Sequence, residues 1–227
     1  VHFLIIAVLL LLLIFGPQWW ARAVLRRYSK PRPDYPGDGG QFARHLLKQF
    51  DMHKVKVEGT EQGDHYDPVA KVVRLTPDKL NGKSLTAVAV AAHEVGHAIQ
   101  DHLNYAPLKW RARLVNIAQA AEKTGAGVMM VLPLVALITR SPAASAAMFA
   151  VAIGSMAIGT VVHLITLPVE WDASFGRAMP LLKAGGYLDP KDEKAARRIL
   201  KACALTYFAS SLASLLNVWR WWRYLRR

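Results

Sequence analysis

Residues 84–100 read SLTAVAVAAHEVGHAIQ, and this stretch decides both the fold class and the chemistry. Ser84 is a favoured N-cap, and Leu85, Val88, Val90, Ala92, Val95 and Ile99 continue an apolar helical run. The helix is predicted to last until about Pro107. Within it, positions 93–97 read His-Glu-Val-Gly-His. Residues i and i+4 share a helix face, so His93 and His97 can reach one metal ion. Tetrahedral zinc suits such a pair and needs a further protein ligand, with the fourth position open. Glu94 is turned off the line joining the histidines. Its carboxylate can still take a proton from a water at the metal as that water attacks a peptide carbonyl. The alternative is a solvated face with two unrelated histidines. It fails because His93 and Glu94 interrupt an apolar run, where unpaired polar groups are costly. Gly96 is unfavourable inside a helix and predicts the close approach of another element.

The residue pattern alone leaves the third ligand open among Glu170, Asp101, His102, His65 and His163. Asp101 and His102 lie about two turns beyond His93, and His102 is off the shared face. Glu170 follows a long apolar stretch, beside Asp172. Pro168 and Glu170 there equally suit the first turn of a solvated helix. His163 falls inside an apolar stretch and reads as a hydrogen-bonded bundle histidine.

Working outward, the chain has 227 residues, is 53% apolar and carries a net charge of +13. The basic residues flank the apolar runs, which favours attraction to an anionic leaflet over nucleic-acid binding. No nucleic-acid-binding signature is present. The single cysteine, Cys203, excludes an intramolecular disulfide and reads as a small buried side chain. Phe3 to Phe15 is wholly apolar. Trp19 and Trp20 follow as an aromatic belt, then Arg22, Arg26 and Arg27. This order predicts a retained anchor with its Arg-rich end in the cytoplasm, since a signal peptide would carry its charge first.

Residues 30–40 form a linker rich in Pro and Gly, and Gln41–Met52 has an amphipathic pattern with Phe42, Leu46, Leu47 and Phe50 on one face. Lys54–Glu58 and Lys71–Leu75 read as strands, with a turn at Asp67-Pro68. Val72–Leu75 is a candidate edge for an extended substrate, an ordinary hairpin strand being the alternative. A further helix begins near Leu108 and carries Arg111 and Arg113. Residues 126–138 and 142–168 are apolar and joined by a very short connection, which predicts a hairpin crossing the bilayer and returning. Gly154 and Gly159 would allow close helix approach. Leu200–Trp219 reads as an interfacial or bundle-packed helix with a cytoplasmic, basic end. The chain thus divides into an anchor (1–29), a catalytic region (30–125), a membrane hairpin (126–168), and a third-ligand helix with C-terminal helices (169–227).

Four stretches carry a family resemblance: DHYDPVAKVVRL (64–75), AVAAHEVGHAIQ (89–100), LPVEWDAS (167–174) and ALTYFA (204–209). In order and spacing they resemble the YugP-like neutral zinc metallopeptidases of bacterial membranes. The resemblance implies zinc ligands His93, His97 and Glu170, with Glu94 as base. The chain is also similar to the gluzincin plan of HtpX-type membrane peptidases, in which an Asp four residues after the ligand Glu orients a histidine. Here that position is Ser174, which makes Asp172 the candidate orienting residue. Phe175-Gly176 departs from the family pattern beside Arg177. A transition-state oxyanion needs a donor, for which Tyr207 is the first candidate and Arg177 the second.

Together these readings predict a mainly α, zincin-like, membrane-embedded fold with a small β-element. The predicted activity is zinc-dependent hydrolysis of peptides or membrane proteins at the cytoplasmic face of a bacterial inner membrane. An intramembrane site-2-type protease would need an Asp ligand on a second apolar helix, and none is present. A non-catalytic membrane scaffold keeping a structural zinc is the alternative, and it has no use for Glu94.

Overall fold

The computed structural model describes residues 2–215. It is mainly helical, with one three-stranded mixed sheet. The centre is α4 (Leu85–His102), in which every residue from Leu85 to Gln100 is buried. The Ser84 hydroxyl caps it by accepting from the Ala87 amide at 3.1 Å. A helix buried on all sides needs elements around its whole circumference. These are α2 (Gly39–Gln49), the sheet, the segment after Glu170, and α8 (Glu193–Leu215).

Local signals explain the surrounding elements. Asp38 and Gln41 form a reciprocal capping box at the start of α2, which buries Leu46 and Leu47. Phe50 lies past its end and is exposed. The sheet order is β1 (Lys56–Gly59), β3 (Val72–Leu75), β2 (His65–Asp67). β1 runs parallel to β3, and β2 antiparallel to it. β3 is therefore central, which corrects the expectation that Val72–Leu75 offers a substrate an edge; the outer positions belong to β1 and β2. Val73 and Leu75 are buried in the core that includes α4. The Tyr66 hydroxyl donates to Asp101 Oδ2 at 2.7 Å and ties β2 to the end of α4.

α1 (His2–Arg27) ends against the first turn of α4. Thr86 Oγ1 donates to the Leu25 carbonyl at 2.8 Å, and the Thr86 amide donates to the Tyr28 carbonyl at 3.2 Å. The short helix α3 (Pro77–Leu80) precedes α4. Beyond α4, α5 (Ala106–Thr139) and α6 (Pro142–Trp171) form an antiparallel hairpin closed at Arg140. The expected boundaries at 125/126 and 168/169 both fall inside these continuous helices. Glu122, Lys123, Pro168 and Glu170 are polar or helix-breaking in sequence, yet the helices continue through them. Glu170 thus belongs to the last turn of α6, not to the first turn of a new helix.

After α6 the chain continues as a π-helical turn (Asp172–Ala178) and then α7 (Met179–Ala184). α8 follows and packs along α1 and α6, as a bundle-packed helix does; the basic residues after Leu215 lie outside the described residues. Among the described residues, one helix (Ala106–Thr139) is long and apolar enough to cross a membrane. Exposed large apolar side chains gather on the hairpin, among them Met130, Leu134, Leu137, Ile138, Phe149 and Val151.

Gly96 is where the π turn meets α4. A Cβ there would stand 2.7 Å from the Ala173 carbonyl oxygen, which is backbone and cannot swing aside. Gly96→Ala is therefore expected to lower stability by about 1–3 kcal/mol, the usual cost of overpacking. A thermal melt of the detergent-solubilised protein measures it, and an unchanged melting temperature would show that the two elements tolerate separation.

Candidate metal centre

α4 presents His93 and His97 one turn apart on one face, with ring centroids 4.8 Å apart and planes at 78°. The end of α6 brings Glu170 opposite them. Glu170 Oε2 lies 3.3 Å from His93 Nε2 and 3.2 Å from His97 Nε2, and Glu170 is fully buried. The three donor atoms all lie within 4.8 Å of one another.

The hydrogen-bond network settles the tautomers. Gln100 Nε2 donates to the Val169 carbonyl at 2.9 Å and to Asp172 Oδ2 at 2.8 Å. Both partners are acceptors, so the amide oxygen is the atom facing His97. Oε1 is 3.0 Å from His97 Nδ1, which must carry the proton. The Ser174 hydroxyl spends its proton on the Leu200 carbonyl at 3.0 Å. Its oxygen lies 2.9 Å from His93 Nδ1 and accepts from it. Both imidazoles thereby carry a proton on Nδ1, and the Nε2 of each faces one carboxylate oxygen.

Two neutral imidazoles and a carboxylate facing one another in a buried place suit a cation between them. Two of the three donor separations fit zinc. Bonds of about 2.0–2.1 Å set two tetrahedral ligands roughly 3.3–3.4 Å apart. The observed 3.2 and 3.3 Å approach that edge length. The donor set of two imidazoles and one carboxylate is also a common zinc composition.

Glu94 is buried beside this group. Burial pushes its carboxyl up to about 7, and the neighbouring Glu170 and Asp64 charges add to the rise. A dication bound alongside draws it down again. On the far oxygen of Glu170, Arg111 Nη1 lies 2.7 Å from Oε1, an ion pair without an aligned hydrogen bond.

The remaining candidates are placed elsewhere. Asp101 accepts from Tyr66 and pairs with Lys71. His102 is exposed, and His65 Nδ1 lies 2.8 Å from the Gly63 carbonyl. Asp172 touches neither histidine; it holds Gln100, which holds His97. Arg177 Nε donates to Asp172 Oδ2 at 3.3 Å, away from the three donors. The side chains of Tyr207 and His163 lie outside the described residues. Cys203 is buried, as its sequence reading had it. Three site residues were not anticipated: Gln100, Ser174 and Arg111. Gln100 could have been found at i+3 from His97. Ser174 could have been found at i+4 from Glu170, where it looked like a missing carboxylate. Nothing local marks Arg111.

A family model described as "Putative neutral zinc metallopeptidase" matches residues 3–226. The chain is 33% identical over 223 residues to "Putative membrane protease YugP" of Bacillus subtilis (strain 168), covering 96% of this chain and 94% of that protein. No solved structure matches significantly. The matched span contains His93, Glu94, His97 and Glu170, and the chain belongs to the neutral zinc metallopeptidases, a family of hydrolases.

Proposed function

We infer that the chain is a membrane-bound zinc endopeptidase in which His93, His97 and Glu170 hold the metal and Glu94 is the general base. The observation that carries this is the buried convergence of two imidazoles, each held through Nδ1, on one oxygen of Glu170 at 3.2 and 3.3 Å. When bound, zinc lowers the pKa of a coordinated water towards about 7 and polarises a substrate carbonyl. The chain's own residues do the rest. Glu94 accepts the proton that the attacking water gives up and delivers it to the leaving amine. Ser174 and Gln100 hold the imidazoles in the ligating tautomer. The oxyanion donor proposed is Tyr207 of α8, with Arg177, which donates to Asp172 at 3.3 Å, as the second candidate.

The membrane reading extends this. α1 is proposed as the anchor and α5–α6 as the hairpin, with the catalytic region between them on the cytoplasmic side. The exposed apolar surface of the hairpin supports it: Leu137 and Ile138 are 72% and 71% exposed. So do Arg26 and Arg27 in the last turn of α1, placed as the positive-inside bias requires. Peptides are the substrate class the family implies.

Glu94→Gln is expected to retain one equivalent of zinc and to lose peptide hydrolysis by about 10²–10⁴-fold. Metal analysis and a peptide-cleavage assay on the same preparation check it. Full activity in that variant would remove the mechanism, whereas zinc without activity in the unaltered protein would favour the scaffold reading. Ser174→Ala is expected to weaken zinc binding by about 10–100-fold, read by competition with a chromophoric chelator. Wild-type affinity there would mean that His93 needs no partner to hold its tautomer. Chelation is expected to lower the melting temperature and added zinc to restore it, since a cation that binds only the folded site stabilises it.

A further inference from the structure

The two oxygens of Glu170 face different partners. Oε2 faces the two histidines at 3.2 and 3.3 Å, while Oε1 faces the Arg111 guanidinium at 2.7 Å. Glu170 is fully buried and the Arg111 side chain is 15% exposed. Arg111 stands in the second turn of α5 and Glu170 in the last turn of α6, so the pair closes the root of the hairpin.

A carboxylate beside a zinc ion can bind through one oxygen or both. A buried second oxygen with no other partner turns to the metal, because nothing else compensates its charge. Binding through both oxygens fills coordination space that a hydrolytic site must leave to water. Arg111 competes for that second oxygen with a charge that is never lost, held 2.7 Å away.

We propose that Arg111 is a positioning residue that confines Glu170 to a one-oxygen grip on the metal and so keeps the fourth coordination place free. This rests on the zinc reading given above. A purely structural role, neutralising a buried carboxylate, would make Arg111 matter for stability but not for coordination number.

Cobalt separates the two, because four-coordinate cobalt(II) absorbs visible light more strongly than five-coordinate cobalt(II). The full-length protein in detergent is loaded with cobalt and compared with Arg111→Gln and Arg111→Lys. The unaltered protein is expected to show the intense four-coordinate absorption. Arg111→Gln is expected to show the weaker five-coordinate bands and a kcat lower by about 10–100-fold, with KM little changed. Arg111→Lys keeps the charge without the planar fork and is expected to fall between them; it carries the test if the Gln variant does not fold. Wild-type cobalt absorption and turnover in a folded variant overturn the proposal, even if its melting temperature falls. Failure of the unaltered protein to bind one equivalent of metal overturns the zinc reading itself, and the proposal with it.

Discussion

Two imidazole nitrogens and one carboxylate oxygen meet in a buried place. This constraint organises the molecule. Each donor is expensive to bury, and each must be kept free of protons on the side that faces the others. The proton on His97 is held by Gln100, and the proton on His93 by Ser174. Those partners are themselves held, Gln100 by Val169 and Asp172, and Ser174 by Leu200. The outer contacts therefore come from α6, the π turn and α8, so three elements must pack on α4 at once. Gly96 makes that contact possible by letting the Ala173 carbonyl lie where a side chain would stand. The wide turn that carries Ala173 and Ser174 is of the kind often found at functional sites.

Much of this could be read along the chain, because α4 is specified locally. Its cap, its apolar run and the 93–97 spacing are all short-range signals. The amphipathic face of α2 and the strand at Val72–Leu75 were legible for the same reason. β2 was not, since its three residues are polar and too few to show alternation; it exists because β3 offers a partner and Asp101 receives Tyr66. The hairpin was legible as apolar surface, but its ends were not. Polarity near Glu122 and Pro168 looked like boundary, whereas both helices run on through it, and at the foot of α6 Val169 and Glu170 are buried. Ser174 was misjudged for a chemical reason. A hydroxyl can replace a carboxylate as acceptor for an imidazole N–H only if its own proton goes elsewhere, and the Leu200 carbonyl is supplied by a distant helix. Arg111 was invisible as a site residue because the length of the hairpin separates it from Glu170, and only its closure brings them together.

The proposed ligands come from two differently supported parts of the chain. His93 and His97 ride on α4, whose first turn is fastened to the end of α1 through Thr86. Glu170 rides on the hairpin, at the foot of α6. An i, i+4 histidine pair is a two-donor site that many helices can offer. The proposed third donor arrives only when α6 is seated against α4. The groups that seat it are the ones that tune the histidines: Gln100 reaches the backbone of α6 at Val169, and Ser174 follows Glu170 by four residues. Completing the metal site and docking the hairpin root are consequently one packing event. A displacement of the hairpin that parts Gln100 from Val169 also carries Glu170, the next residue, away from the histidines, so the third donor and one of the two bonds that orient Gln100 are lost together.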